Sequence, residues 1–271
     1  MTTTPAILYP RLLLTGAAGA LGRMLRPRLK AHCQTLRVSD ISELEAAKTG
    51  EEVMPALALQ DAQAVDKLLD GVDGVVHLGG VSIERPFDEI LPANIVGMYN
   101  LYEAARKNGT RRIVFASSNH VTGFYKQSET VSPTMPVRPD GYYGLSKAFG
   151  ENIARFYFDR YGIETVCLRI GSSIPEPKDR RMLATWLSYD DLERLVLASL
   201  SAPVVGFSVI YGMSDNPAVW WDNASAKHLG YQPKDTSAVF KNAIESRQLS
   251  LDLNDPAVIY QGGGFVKNAP I

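Results

Sequence analysis

The sequence contains little of several things that would each indicate a particular class of protein. It has two cysteines in 271 residues, Cys33 and Cys167, and we expect both thiols to be free in or near the core rather than paired. Its formal net charge is −1 and it has no basic run, which argues against a nucleic-acid partner. No apolar stretch is long enough to cross a membrane, and Met1 to Pro10 lack the pattern of a secretion signal. We therefore expect a cytoplasmic protein without a membrane partner.

Histidines are also few, and their positions do not suggest a metal site. The four are His32, His77, His120 and His228, which share no spacing typical of metal ligands. The sequence contains neither an internal repeat nor a low-complexity segment. Its hydrophobic content of 45% and mean hydropathy of −0.08 are ordinary for a globular enzyme. We expect one large domain, or one domain with a grafted lobe.

Apolar runs alternate with helical patterns over the first two thirds of the chain. Strands are predicted at 11–15, 35–40, 74–78, 112–117 and 164–170, and helices at 19–31, 95–107 and 143–161. Strands that are apolar throughout and separated by helices indicate an α/β fold, with a parallel sheet covered on both faces. A charged, proline-containing loop follows, then a helix at 188–201 and a strand at about 207–211 that returns to the sheet.

Three glycines follow the first predicted strand and open the first predicted helix, in Thr15-Gly16-Ala-Ala-Gly19-Ala-Leu-Gly22. Such a turn lets backbone amides touch a pyrophosphate and lets the helix pack closely on the strand. Asp40 ends the second strand, 18 residues after Gly22, where a carboxylate binds adenosine ribose hydroxyls; the alternative is a turn residue or helix N-cap. Because that carboxylate repels a 2′-phosphate, we predict NAD rather than NADP, unless Arg23 or Arg37 pairs with the phosphate.

A tyrosine and a lysine lie one helical turn apart in Tyr143-Gly-Leu-Ser-Lys147, 121 positions after Gly22. An ammonium close to a phenol stabilises the phenolate, so Tyr143 is predicted to act as a base. Ser118 lies 25 residues earlier, at the end of a strand, where its hydroxyl would hold the substrate oxygen; the alternative is simple loop polarity. His120 is either a further site residue or a hydrogen-bonded structural histidine.

Together the glycine turn, Ser118 and the Tyr143/Lys147 pair resemble the extended short-chain dehydrogenase/reductases, over essentially the whole chain. The resemblance implies a Rossmann-type doubly wound parallel sheet, a nicotinamide cofactor and a small C-terminal substrate-binding lobe. It implies Ser118, Tyr143 and Lys147 as catalytic residues. The cofactor-binding residues that it implies are Gly16, Gly19, Ala20, Leu21, Gly22, Asp40, Leu59, Gly79, Asn94, Tyr143 and Lys147.

Longer strings narrow the resemblance to family members that oxidise D-glucuronate or D-galacturonate at C1 with NAD, giving an aldaric acid lactone. These strings are His77–Ser82, Phe115–His120, Arg169–Ser172, Arg181–Trp186 and Trp220–Asn223. A uronic acid needs a cation for its carboxylate, and Arg181 is the candidate; the alternative is a solvated charge in a loop. The implied substrate-binding residues are Ser82, Ser118, Asn119, His120, Tyr143, Ser172, Arg181 and Phe265.

One position departs from the family pattern. Ala58 stands where the family usually has an aspartate that contacts the adenine. Either Asp61 replaces it from a shifted position, or adenine is bound less tightly.

We interpret residues 1–271 as a single Rossmann-type unit, in which 10–172 mainly bind the dinucleotide and 173–271 mainly the substrate. A sugar-nucleotide epimerase or dehydratase is one alternative, but the 124 residues after Lys147 leave little room for its large lobe. A non-catalytic NAD(H)-sensing protein is another, although such proteins have usually lost the tyrosine or the lysine. Helices such as 95–107 and 143–161 often pair between subunits in this family, so we also expect a homo-oligomer.

Overall fold

Seven strands form one parallel sheet in the part of the chain that the computed structural model describes, residues 6–247 and 251–268. Their order across the sheet is β3-β2-β1-β4-β5-β6-β7. The strands are β1 Tyr9–Thr15, β2 Cys33–Ser39, β3 Glu51–Val53, β4 Gly74–His77, β5 Arg112–Ser118, β6 Glu164–Ile170 and β7 Phe207–Gly212. Because the order reverses between β1 and β4, the carboxyl ends of these two strands flank a crevice of the kind that binds ligands.

Helices connect the strands and cover the sheet. They are α1 Ala20–Lys30, α2 Ala62–Leu68, α3 Phe87–Ile90, α4 Gly97–Asn108, α5 Tyr142–Tyr161, α6 Met182–Thr185, α7 Tyr189–Ser201, α8 Lys241–Arg247 and α9 Pro256–Ile259. A π-helical turn at Leu91–Val96 runs into α4, and 3₁₀ turns lie at Asn119–Thr122 and Gly263–Lys267.

The core lies on both faces of the sheet, as expected for strands that are apolar throughout. On one face, strand residues such as Leu12 and Leu168 pack against α1 and α7. On the other face, residues such as Leu13 and Ile113 pack against α2, α4 and α5. Side chains from successive positions of one strand thus enter opposite layers. The predicted doubly wound parallel α/β fold is confirmed.

The remaining expectations about the chain differ from the structure in a few places. The strand β3 and the helices α2, α3, α6, α8 and α9 were not predicted, and α4 begins after residue 95 because the π-helical turn precedes it. Cys33 and Cys167 are buried and free, as expected. Among the described residues, no helix is long and apolar enough to span a bilayer.

Candidate active site

The carboxyl ends of β1, β2, β4, β5 and β6 open into one cleft of about 860 Å³. This cleft brings together almost all of the residues that the sequence singled out. Those that line it are Gly16, Gly19, Ala20, Leu21, Gly22, Asp40, Leu59, Gly79, Ser82, Ser118, Asn119, His120, Tyr143, Lys147, Ser172, Arg181 and Phe265.

The glycine turn forms one end of the cleft. Gly16 has a φ of +70°, and a Cβ there would lie 2.6 Å from the carbonyl carbon of Leu78. A Cβ on Gly22 would lie 2.1 Å from the carbonyl oxygen of Gly16, so α1 packs against the turn only because this residue is glycine. Gly19 is the N-cap of α1, which has neither a side-chain cap nor an acidic residue in its first turn. The backbone N–H groups at the start of α1 and the positive end of the helix dipole are suited to bind a pyrophosphate.

Asp40 lies beside the glycine turn at the end of β2. Its carboxylate accepts hydrogen bonds from the backbone N–H of Ala18 at 2.9 Å and of Ser42 at 3.0 Å. The residue therefore stabilises the local turn and also lines the cleft. Arg37 is directed elsewhere, because its Nε donates to Glu52 at 2.7 Å and its Nη1 donates to backbone carbonyl groups. Arg37 is thus committed away from a 2′-phosphate.

The adenine end of the cleft follows β3. Asp61 does not line the cleft: it is the N-cap of α2 and accepts from the N–H groups of Gln63 and Ala64. Leu57, Leu59 and Gln60 line the cleft at this point. Gln60 is therefore the polar residue of this segment that lines the cleft, and the sequence motifs did not indicate it.

Ser118, Tyr143 and Lys147 lie together in the middle of the cleft, and all three are buried. The Lys147 Nζ donates to the carbonyl oxygen of Ala116 at 2.8 Å and lies 5.7 Å from the centroid of the Tyr143 ring. Burial lowers the pKa of Lys147 to about 8. Burial also raises the pKa of Tyr143 to about 12, against the opposing effect of a hydrogen bond with Ser118. Without ligands, the phenol is therefore the favoured form of this tyrosine.

Glu84 fixes the start of the helix that carries Tyr143. The N-cap of α5 is Gly141, which has no side chain to cap the helix. The carboxylate of Glu84, from the loop after β4, instead accepts from the N–H groups of Tyr142 at 2.8 Å and Tyr143 at 2.9 Å. A carboxylate is favourable at this positive helix end. It also ties the loop that carries Ser82 to the start of α5.

Asn94 strengthens the same connection. Its Oδ1 accepts from the N–H of Val81 at 2.8 Å, and its Nδ2 donates to the hydroxyl of Ser146 at 2.9 Å. The residue is buried and is not among those that line the cleft. Its side-chain amide thus holds the loop after β4 against α5.

Arg181 is partly buried at the opposite end of the cleft from the glycine turn. Its Nε donates to the carbonyl oxygen of Gln261 at 2.7 Å. The Asn119 amide orientation that satisfies both neighbours has its nitrogen 3.0 Å from the Ile170 carbonyl oxygen and its oxygen 2.8 Å from Nη2 of Arg181. Burial lowers the pKa of Arg181, while the charges of two aspartates act to raise it. This is not the arrangement of a freely solvated loop charge.

The C-terminal segment forms a wall of the cleft. The ring of Phe265 stacks on that of His120 with the centroids 3.8 Å apart, and lies 6.2 Å from the Tyr143 ring. Gln261 anchors the segment: it is 1% exposed, accepts from the indole N–H of Trp221 and donates to two backbone carbonyl groups. Sequence reasoning missed Gln261 and Glu84, since both act through segments distant in sequence and neither belongs to a motif.

A glycine turn at the head of α1 and a buried tyrosine–lysine pair beside it define an enzyme that works with a dinucleotide cofactor. The model of the NAD dependent epimerase/dehydratase family matches residues 12–190, and the chain belongs to this family. The family resemblance expected from the sequence is therefore confirmed.

The individual proteins that are similar to this chain have a more specific name than the family. The chain is 55% identical over 269 residues to a uronate dehydrogenase of Pseudomonas syringae pv. tomato, with 99% of this chain and 96% of the relative covered. A crystal structure of uronate dehydrogenase from Agrobacterium tumefaciens is 51% identical, has a TM-score of 0.94, and matches over 97% of this chain and 99% of that one. A mutant of the same enzyme complexed with NAD gives the same values.

Proposed function

We propose that this protein oxidises D-glucuronate or D-galacturonate at C1 with NAD and releases the corresponding aldaric acid lactone. The observation that carries the proposal is Arg181, a partly buried guanidinium that lines the cleft with Ser118, Tyr143 and Lys147. None of the ion pairs among the described residues includes it. A buried cation of this kind favours an anionic substrate.

The residues divide the chemistry between them. The hydroxyl of Ser118 holds the C1 oxygen of the sugar, and Tyr143 takes its proton. Lys147 supplies a positive charge that favours the phenolate, which burial alone disfavours. The glycine turn and Asp40 would hold NAD, which when bound would supply the acceptor for the hydride that leaves C1.

Recognition of the carboxylate is tested with Arg181→Ala. A charge-assisted pair contributes on the order of 1.5–3 kcal/mol, so kcat/KM for glucuronate should fall by roughly 10- to 150-fold. Glucose has no carboxylate, and the variant should oxidise it no worse than the wild type does. Arg181→Lys should restore part of the loss, because lysine supplies charge without the two-pronged geometry.

The measurement is NADH absorbance, with uronates, neutral aldoses and UDP-sugars screened in parallel. A parallel fall for glucuronate and glucose would mean that Arg181 shapes the loop rather than binding the carboxylate. Turnover of UDP-sugars instead of free uronates would favour the epimerase or dehydratase alternative.

We also propose that the protein is a cytoplasmic homo-oligomer that pairs through α4 and α5. Large apolar side chains on these helices are half exposed: Tyr99 (51%), Leu145 (50%), Phe156 (51%) and Tyr161 (48%). Burial of such a patch between subunits is favourable. Light scattering should give a mass of at least twice 29.7 kDa, and Phe156→Glu should lower it. A monomer at micromolar concentration contradicts this proposal.

The free, buried thiols are compatible with a reducing compartment.

A further inference from the structure

Asp140 is a buried carboxylate beside the site that no motif singled out. Its side chain is 0% exposed, and its Oδ2 lies 2.6 Å from Nδ1 of His120, a hydrogen bond whose donor depends on the tautomer of the ring. Its other oxygen, Oδ1, has no hydrogen-bond partner among the described residues. A buried carboxylate with one oxygen left without a hydrogen-bond partner lowers the free energy of unfolding. The stability of the fold therefore does not explain why Asp140 is present.

Two glycines lie against the carboxylate of Asp140, where any side chain would clash with it. A Cβ on Gly123 would lie 1.9 Å from Oδ2, and a Cβ on Gly262 would lie 2.0 Å from the same atom. The two glycines are joined by a hydrogen bond of 2.9 Å from the Gly262 N–H to the Gly123 carbonyl oxygen. An asparagine would fill the same volume at a lower desolvation penalty, so what the aspartate adds is its charge.

His120 separates this charge from the cleft. Its ring is stacked on Phe265 on one side and lies 5.8 Å from the Tyr143 ring. Because Nδ1 is hydrogen-bonded to Asp140, Nε2 lies on the side of the ring away from Asp140. Nε2 makes no hydrogen bond to any residue that the structure describes. The cations Lys147 and Arg181 line the same cleft, and the Asp140 charge acts on Arg181 and on Tyr143.

We propose that Asp140 is a positioning residue that keeps the proton of His120 on Nδ1, so that Nε2 accepts a hydrogen bond from a hydroxyl of the sugar ring. The proposal rests on the proposed function for the identity of the sugar. A carboxylate that fixes the tautomer of a histidine also fixes which nitrogen can accept. The direction of this hydrogen bond then helps to select a sugar that offers a hydroxyl at that point.

The tautomer is measured without any substrate. In protein labelled with ¹⁵N-histidine, a long-range ¹H–¹⁵N spectrum distinguishes the two neutral tautomers and the imidazolium, and His120→Gln identifies the signal among four histidines. At pH 7.5 we expect a neutral ring with its proton on Nδ1. A proton on Nε2, in either the other neutral tautomer or the imidazolium, overturns the proposal.

A double-mutant cycle tests the effect on substrate. Asp140→Asn should lower kcat/KM for the uronate by roughly 10- to 100-fold, the effect of a lost substrate hydrogen bond, mainly through KM. KM for NAD should stay within about twofold. In the His120→Ala background, the same change should alter kcat/KM by less than about twofold, because the group it acts through is gone. An equal loss in both backgrounds, or no loss in either, overturns the proposal.

Asp191→Asn is a matched control, because it also removes a fully buried carboxylate, but one outside the residues that line the cleft. It should lower the melting temperature while leaving KM for the uronate unchanged. If the wild type fails to oxidise uronates at all, the proposed function is wrong, whereas the spectrum still decides whether Asp140 holds the tautomer of His120.

Discussion

The proposed role of Tyr143 as a base requires its phenolate, but the buried surroundings of the side chain disfavour that charged form. Burial raises its pKa to about 12, so near neutral pH the phenol can give up a proton only with help. Lys147 Nζ lies 5.7 Å from the ring centroid, and in the proposed mechanism its positive charge provides this help. We therefore expect Tyr143 to matter when the proton moves and much less when NAD binds.

The first prediction is that Tyr143→Phe abolishes turnover but leaves NAD binding largely intact. The variant keeps the ring that packs beside His120 and Phe265, and it removes only the hydroxyl. Loss of a general base typically lowers kcat ~10²-fold or more. The measurements are kcat with saturating substrate and Kd for NAD by fluorescence titration. A variant that keeps more than about a tenth of the wild-type kcat would identify a different base.

Among the elements, we expect β2 and the turn before α1 together to determine the choice of cofactor. The carboxylate of Asp40 is held at the turn by the N–H of Ala18, while Arg37 is committed to Glu52 and backbone carbonyl groups. We predict that kcat/KM with NAD exceeds that with NADP by at least ~10-fold, since the carboxylate repels a 2′-phosphate. Asp40→Ser should narrow this ratio. Equal values for the two cofactors in the wild type would assign the dominant role to Arg23.

The elements were predictable where their stability comes from apolar burial. The strand β6, Glu164–Ile170, matches its predicted bounds, and α5 differs from its prediction by one residue. The strand β3 was missed because its Glu-Glu-Val sequence has no apolar pattern. Its carboxylates instead pair with arginines of other elements, Glu51 with Arg26 and Glu52 with Arg37, each at 2.7 Å. Such tertiary ion pairs leave no periodic signal in the sequence.

The residues of the site also fall into those that the sequence predicts and those that it does not. Residues at the ends of strands, such as Ser118 and Asp40, were predictable because parallel strands bring their carboxyl ends to one edge. Asp140 and Gln261 were not, because each acts through a partner that only folding brings near. Gln261 meets Trp221 from 40 positions away and the carbonyl group of Lys126 from 135.

At the scale of the whole molecule, the active site opposes the stability of the fold. Lys147 is buried, and its pKa is lowered from an ordinary value of 10.5 to about 8 because the ammonium has lost its hydration. Between about pH 8 and 10.5 the unfolded chain binds more protons at this residue than the folded protein does. The free energy of unfolding therefore rises with pH through that window, and below it the full penalty remains.

We accordingly predict that Lys147→Met inactivates the enzyme but makes it more stable at pH 7. A depression of this size corresponds to about 3 kcal/mol, from which the unpaired carbonyl group of Ala116 subtracts ~1 kcal/mol. A net gain of about 2 kcal/mol would raise the Tm by roughly 4–8 °C. Denaturant unfolding at pH 7 and 9.5 measures the effect, and the advantage of the variant should shrink at the higher pH as the lysine loses its proton. Lys107→Met, at an exposed position on α4, is the control and should change little. A less stable Lys147→Met protein at both pH values would mean that the hydrogen bond to Ala116 outweighs the buried charge.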